Sequence, residues 1–166
     1  MYYKISDFIN DWNLESESTL KLFRVITDKS LSQKVWEEGR TLGELAWHIT
    51  TSVGEMLDKV GFKNDLPQDM ESIPGYAAEI VSTYERASAF VKDAIPDKWK
   101  DENLDEEINM YGEMWKNGST LTILVTHQIH HRGQLTVLMR QAGLKVPGIY
   151  GPAREEWTAY GMPVQK

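Results

Sequence analysis

The chain has 166 residues, a formal charge of −7, a 41% hydrophobic and 26% charged composition, and no cysteine. The missing cysteines exclude disulfides, thiolate metal ligands and a cysteine nucleophile, and the acidic balance speaks against an extended nucleic-acid surface, which needs a basic stripe. A single domain over residues 1–166 is the simplest organisation; with no basic-then-apolar leader and no apolar run of membrane-spanning length, the expected setting is cytoplasmic.

Ile5, Phe8, Ile9, Trp12, Leu20, Phe23 and Ile26 recur at helical spacing and predict a first helix over residues 4–28. Residues 27–40 are polar and read as a connection, with Leu31, Val35 and Trp36 as its apolar anchors. Thr41-Leu42-Gly43-Glu44 sets an N-cap threonine three residues before a glutamate, so a second helix starts there and runs to about Val60, ended by Gly61. Its apolar side carries Leu42, Leu45, Ile49, Val53 and Met56, with His48 at the edge. A loop leads to Pro74. Tyr76, Ile80, Val81, Tyr84, Ala87, Phe90 and Val91 then form the stripe of a third helix, stopped by Pro96.

Residues 96–118 are acidic and aromatic and predict a long crossover with a small hairpin within 108–116 and a turn at Asn117-Gly118. The fourth helix is expected to start with Ser119 as N-cap and to end before Gly143. It is apolar nearly all round, with Val125 and Ile129 opposite its histidine face. Such a helix is either central in one chain or covered by a second subunit. A turn-rich stretch at 146–152 and a short helix within 153–160 close the chain. The fold class is all-α: a four-helix bundle with a long crossover between helices 3 and 4 and a short C-terminal helix.

Three of the four histidines lie in one stretch, Thr126-His127-Gln128-Ile129-His130-His131. His127 and His131 are four apart, so on a helix their imidazoles share a face and can converge on one cation. With His48 from the second helix they make a candidate three-histidine metal site. His130 projects about 60° away from His127, so it does not easily reach the same centre and either supports a ligand from behind or lies on the surface. A lone histidine on a half-apolar face is usually just packed or hydrogen-bonded. Two unpaired imidazoles among Leu124, Leu135 and Leu138 are harder to leave without a partner, and a shared cation, Gln134 or a carboxylate would each serve. The spacing matches H-E-x-x-H except that Gln128 replaces the glutamate that a metallopeptidase needs as base, so peptidase chemistry of that type is excluded. Glu44 and Glu55 lie within about 40° of His48 around the helix, and either could orient it. Ser52 and Thr126 are weak candidates for a nucleophile. Trp99, Tyr111 and Trp115 are expected as core plugs; Tyr150 and Trp157 either cover a pocket mouth or seal the bundle end.

Thr41-Leu42-Gly43-Glu44-Leu45-Ala46-Trp47-His48 resembles the second-helix motif of the DinB-like (DinB/YfiT) superfamily, and His127-Gln128-Ile129-His130-His131-Arg132-Gly133-Gln134 resembles its fourth-helix motif, H-x-x-x-H-R-G-Q. The order of helices, the crossover and Tyr150-Gly151-Pro152 agree with it. The resemblance implies an up-down-down-up bundle, often a homodimer, and a divalent metal cation, zinc or nickel, held by His48, His127 and His131. Some members activate a low-molecular-weight thiol for S-transfer or isomerisation; others are named for induction by DNA damage. The expected function is a metal-dependent enzyme of thiol S-transferase or hydrolase type acting on a small molecule, with no general base assigned. The alternative is a non-catalytic bundle whose metal is structural and whose role is a stress-related interaction.

Overall fold

Four helices carry the apolar stripes: α1 (Ile5–Phe23), α2 (Leu42–Lys59), α3 (Ala77–Lys98) and α4 (Asn117–Gln141). The computed structural model describes residues 1–164, so residues 165 and 166 of the expected domain lie outside it. α1 packs on α3 and α4, and α2 packs on the same two, which leaves α1 and α2 diagonal to one another. Phe8, Trp12, Leu22, Ile49, Tyr84, Val91 and Leu135 are wholly buried between them. Among the described residues no helix is long and apolar enough to cross a membrane.

The second helix begins as its sequence requires. Thr41 accepts from the Glu44 amide at 3.1 Å, and the Glu44 carboxylate accepts from the Thr41 amide at 2.6 Å. Gly61, at φ +85°, follows its end. Other boundaries differ from expectation for identifiable reasons. α1 stops at Phe23 rather than near residue 28, because Thr27 caps a separate 3₁₀ turn at Asp28–Ser30. The carboxylate of Asp28 then accepts from the Ala77 amide at 2.8 Å and caps α3. Pro96 does not stop α3. The helix continues to Lys98, the Trp99 amide bonds the Ile95 carbonyl at 2.9 Å, and buried Trp99 meets Phe62 edge-on at 4.8 Å, so packing carries the last turn past the proline.

The crossover is a 3₁₀ turn (Asp101–Asp105) and an antiparallel hairpin of β1 (Glu107–Met110) and β2 (Glu113–Lys116). Its two-residue loop is Tyr111-Gly112, both at positive φ, 56° and 93°. α4 starts at Asn117, not at Ser119. No side chain caps it; instead the Asn117 amide bonds the Glu106 carbonyl at 2.9 Å and its side chain bonds the Asn103 carbonyl at 2.9 Å. Asn117-Gly118 is thus the first turn of the helix rather than a loop. The N-terminal segment crosses it so closely that a Cβ on Gly118 would sit 2.2 Å from the Tyr2 carbonyl oxygen.

Val125 is buried within the single chain and Ile129 packs on the core, so α4 is central, flanked by α1 and α2. Its exposed apolar residues are Ile123 and Val137. Leu31 rests on the core, but Val35 and Trp36 face solvent and anchor nothing there; Tyr76 and Tyr111 are exposed as well. The C-terminal helix is a single 3₁₀ turn, Trp157–Tyr160.

Candidate metal centre

His48 from α2 and His127 and His131 from α4 meet where the two helices pack. Their Nε2 atoms converge, 3.1 Å apart for His48 and His127 and 3.2 Å for His48 and His131. Two nitrogens bound tetrahedrally to one zinc ion lie about 3.3 Å apart, so the spacing is that of a shared cation. Among the described residues no other histidine and no carboxylate joins this cluster.

The outer nitrogens have partners of their own. His131 Nδ1 donates to Gln134 Oε1 at 2.9 Å. Ser52 donates its own hydroxyl to the Ile49 carbonyl at 3.0 Å, which leaves its oxygen to accept from His127 Nδ1 at 3.4 Å. His48 Nδ1 faces the Met70 sulfur at 3.4 Å. These outer contacts suit the tautomers in which each Nε2 turns its lone pair towards the common point. That arrangement is repulsive alone and complementary to a cation. Burial pushes the His48 and His127 imidazoles down to about 4 and lowers His131 too, with the Arg40 charge adding to the effect, so all three are neutral donors near pH 7.

Two buried links set this geometry. Gln128, in place of the metallopeptidase glutamate, does not face the site: it accepts from the Tyr84 hydroxyl at 2.9 Å and donates to the Ile49 carbonyl at 3.1 Å. It thereby joins α2 to α4 one residue from His48 and one from His127. Trp47 donates its indole N–H to the Asp69 carbonyl at 2.8 Å, which brings the next residue, Met70, against His48. Ser52 and Thr126 have their hydroxyl protons committed to helix carbonyls, so neither is a poised nucleophile.

Neither carboxylate that could orient His48 bonds to it, although Glu44 lines the same cavity. Glu44 is held in the capping box, and Glu55, two turns on, takes the Tyr111 hydroxyl at 2.7 Å and Lys59 at 3.6 Å. Neutral groups stand behind all three rings instead. His130 is exposed and accepts from Gln134 Nε2 at 3.0 Å, a second-layer position as its helical angle indicates. The Tyr150 hydroxyl joins Arg132 and Glu15 at the α1–α4 contact. Met70 and Arg40 carried no signal in the sequence, because both lie on loops whose path periodicity does not give.

The depressed imidazoles give the metal-free protein an acid sensitivity. Unfolded, each histidine takes a proton near 6.5; folded, His48 and His127 resist until about 4. The unfolded chain binds more protons in that window, so stability is full above pH 6.5 and falls as the pH drops towards 4. Urea midpoints of chelated wild type and of a His48→Gln/His127→Gln variant should diverge across it, the wild type losing more. Parallel pH profiles would show that the imidazoles are not desolvated.

Comparison with known proteins agrees with this architecture. The sequence pattern of the DinB family matches residues 1–165. An uncharacterised protein of Bacillus subtilis strain 168, YrdA, is 41% identical over 166 residues, covering 100% of this chain and 99% of that protein. The crystal structure of a DinB-like protein from Bacillus cereus ATCC 10987 superposes with a TM-score of 0.87 at 40% identity, over 90% of this chain and 100% of that one. A second DinB-like protein, YjoA of Bacillus subtilis, shares the fold at 20% identity and a TM-score of 0.64, over 86% of this chain and 97% of its own. With its four helices, its crossover and its full-length match, the chain belongs to the DinB family.

Proposed function

We propose that His48, His127 and His131 hold one divalent cation, zinc or nickel, and that the protein is a metal-dependent enzyme of thiol S-transferase or hydrolase type acting on a small molecule. The observation that carries this is the convergence of three Nε2 atoms with no fourth protein ligand among the described residues. When bound, such a cation supplies Lewis acidity, lowering the pKa of a coordinated water or thiol. The chain does the rest. Gln134, Ser52 and Met70 hold the rings by their outer nitrogens, and Gln128 fixes the helices that carry them. A cavity of about 360 Å³ beside His48, between residues 34–40 and Met70, gives a small molecule access.

Cobalt-substituted protein tests the reading. Azide and a simple thiol, added separately, should each shift the visible bands, because a coordination position is open to them. Chelation should leave the helical circular dichroism largely intact, since a core of this size folds without metal. Unfolding on chelation, together with cobalt bands that neither ligand moves, would establish a structural metal and end the enzyme proposal.

A further inference from the structure

The loop before α2 is built rather than slack. Its base is tied by the Leu42 amide to the Gln33 carbonyl at 2.8 Å and by the Gly43 amide to the Leu31 carbonyl at 2.9 Å. Its tip closes with the Gly39 amide on the Trp36 carbonyl at 3.1 Å. The Trp36 ring lies flat on buried Gly39, where a Cβ would come within 2.8 Å of the indole. Trp36 is 61% exposed all the same, an apolar surface held in place beside the histidines. With Val35, Leu45, Val137 and Leu138 it walls a cavity of about 410 Å³, a volume suited to a small ligand.

Arg40, Glu38, Gly39 and Gln134, the last bonded to His131, complete that cavity, and Arg40 and Glu38 also line the one beside His48. Among the described residues the Arg40 guanidinium has no ion pair and no hydrogen bond. Glu37, Glu38, Glu44 and Glu71 line the outer cavity without pairing with it. Arg40 is exposed and, among the described residues, is the one cation lining the apolar cavity. A single carboxylate is the anion it can pair, and a second negative charge there would face Glu38 unopposed.

We propose that Arg40 is a substrate-anchoring residue, binding the carboxylate of a small apolar acid whose hydrocarbon body lies between Trp36 and Val137. This rests on the reading of the three histidines as a cation site with an open position, and it adds the chemical class of the molecule that approaches it.

Calorimetry on the cobalt-loaded full chain tests the assignment with three probes: phenylacetate, acetate and phenylacetamide. Phenylacetate should bind at least about tenfold more tightly than either of the others, the lower range for a charge-assisted hydrogen bond. Arg40→Gln should lose about tenfold or more of the phenylacetate affinity, leave phenylacetamide unchanged, and hold cobalt at least as tightly as wild type. Trp36→Ala should weaken phenylacetate and not acetate. Phenylacetate binding that ignores Arg40→Gln, or that phenylacetamide equals, overturns the anchor. Azide added to the same samples separates the two readings. A cobalt spectrum that answers azide while phenylacetate ignores Arg40 removes the anchor alone. A spectrum that azide does not move removes the open position beneath it.

Discussion

Alanine at His48, His127 or His131 is expected to lower divalent-cation affinity by about 10²–10³-fold, from the total binding energy of structural zinc sites shared among their ligands. The three losses should be similar, because each Nε2 faces the same point and each ring is held by one outer contact. Gln134→Ala should cost less, about tenfold, since it frees the His131 ring without removing a donor. His130→Ala should cost least. Competition titration against a chromogenic chelator gives all five numbers. Wild-type affinity in His48→Ala would leave only an i, i+4 pair, and the three-histidine centre would have to be abandoned.

Arg132→Met is expected to cost about 3–5 kcal/mol, the range for breaking a buried ion pair, and to lower the melting temperature by roughly 10 °C or more. The guanidinium is 3% exposed and lies between α4 and α1. It bonds the Glu15 carbonyl at 2.8 Å, Thr19 Oγ1 at 3.3 Å, the Glu15 carboxylate and the Tyr150 hydroxyl. Removing it leaves the Glu15 carboxylate, 14% exposed, with Tyr150 as its one side-chain partner among the described residues. A Glu15→Leu/Arg132→Met double variant should recover most of the loss, because apolar groups of similar volume replace a buried pair at little cost. Thermal melts of the two variants beside wild type decide it. A double variant no better than the single would mean that Arg132 acts through its carbonyl and hydroxyl bonds and not through the ion pair.

The four helices were legible because their apolar stripes keep a 3.6-residue period over four or more turns. Their ends were less so. Ser119 looks like an N-cap, yet the Glu106 carbonyl and the Asn103 carbonyl already serve Asn117, and those partners come from a crossover whose path the local sequence does not state. Pro96 looks like a stop, yet Trp99 finds Phe62. At the centre, the two histidines on α4 are legible from spacing, and His48 from its place in a recognisable motif. Glu44 and Glu55 were misread for one reason: a helical wheel gives direction but not competition. Thr41 holds the first and Tyr111 the second. Arg40, Met70 and Trp36 come to the centre on loops, where no periodicity reports position.

Gln128 also bears on which ions could enter. Its amide bridges the helices next to two of the three imidazoles, and both of its bonds are out of reach of water. The gap between α2 and α4 therefore has a set gauge at that level. Transition ions with bonds to nitrogen of about 2.0–2.1 Å fit it without moving either helix. A calcium ion, with bonds of about 2.3–2.6 Å and a preference for oxygen, would have to part the helices against that amide and, among the described residues, would find only imidazole nitrogens in the cluster. A bundle held this way would sort cations by radius as well as by ligand type, through a side chain that touches none of them.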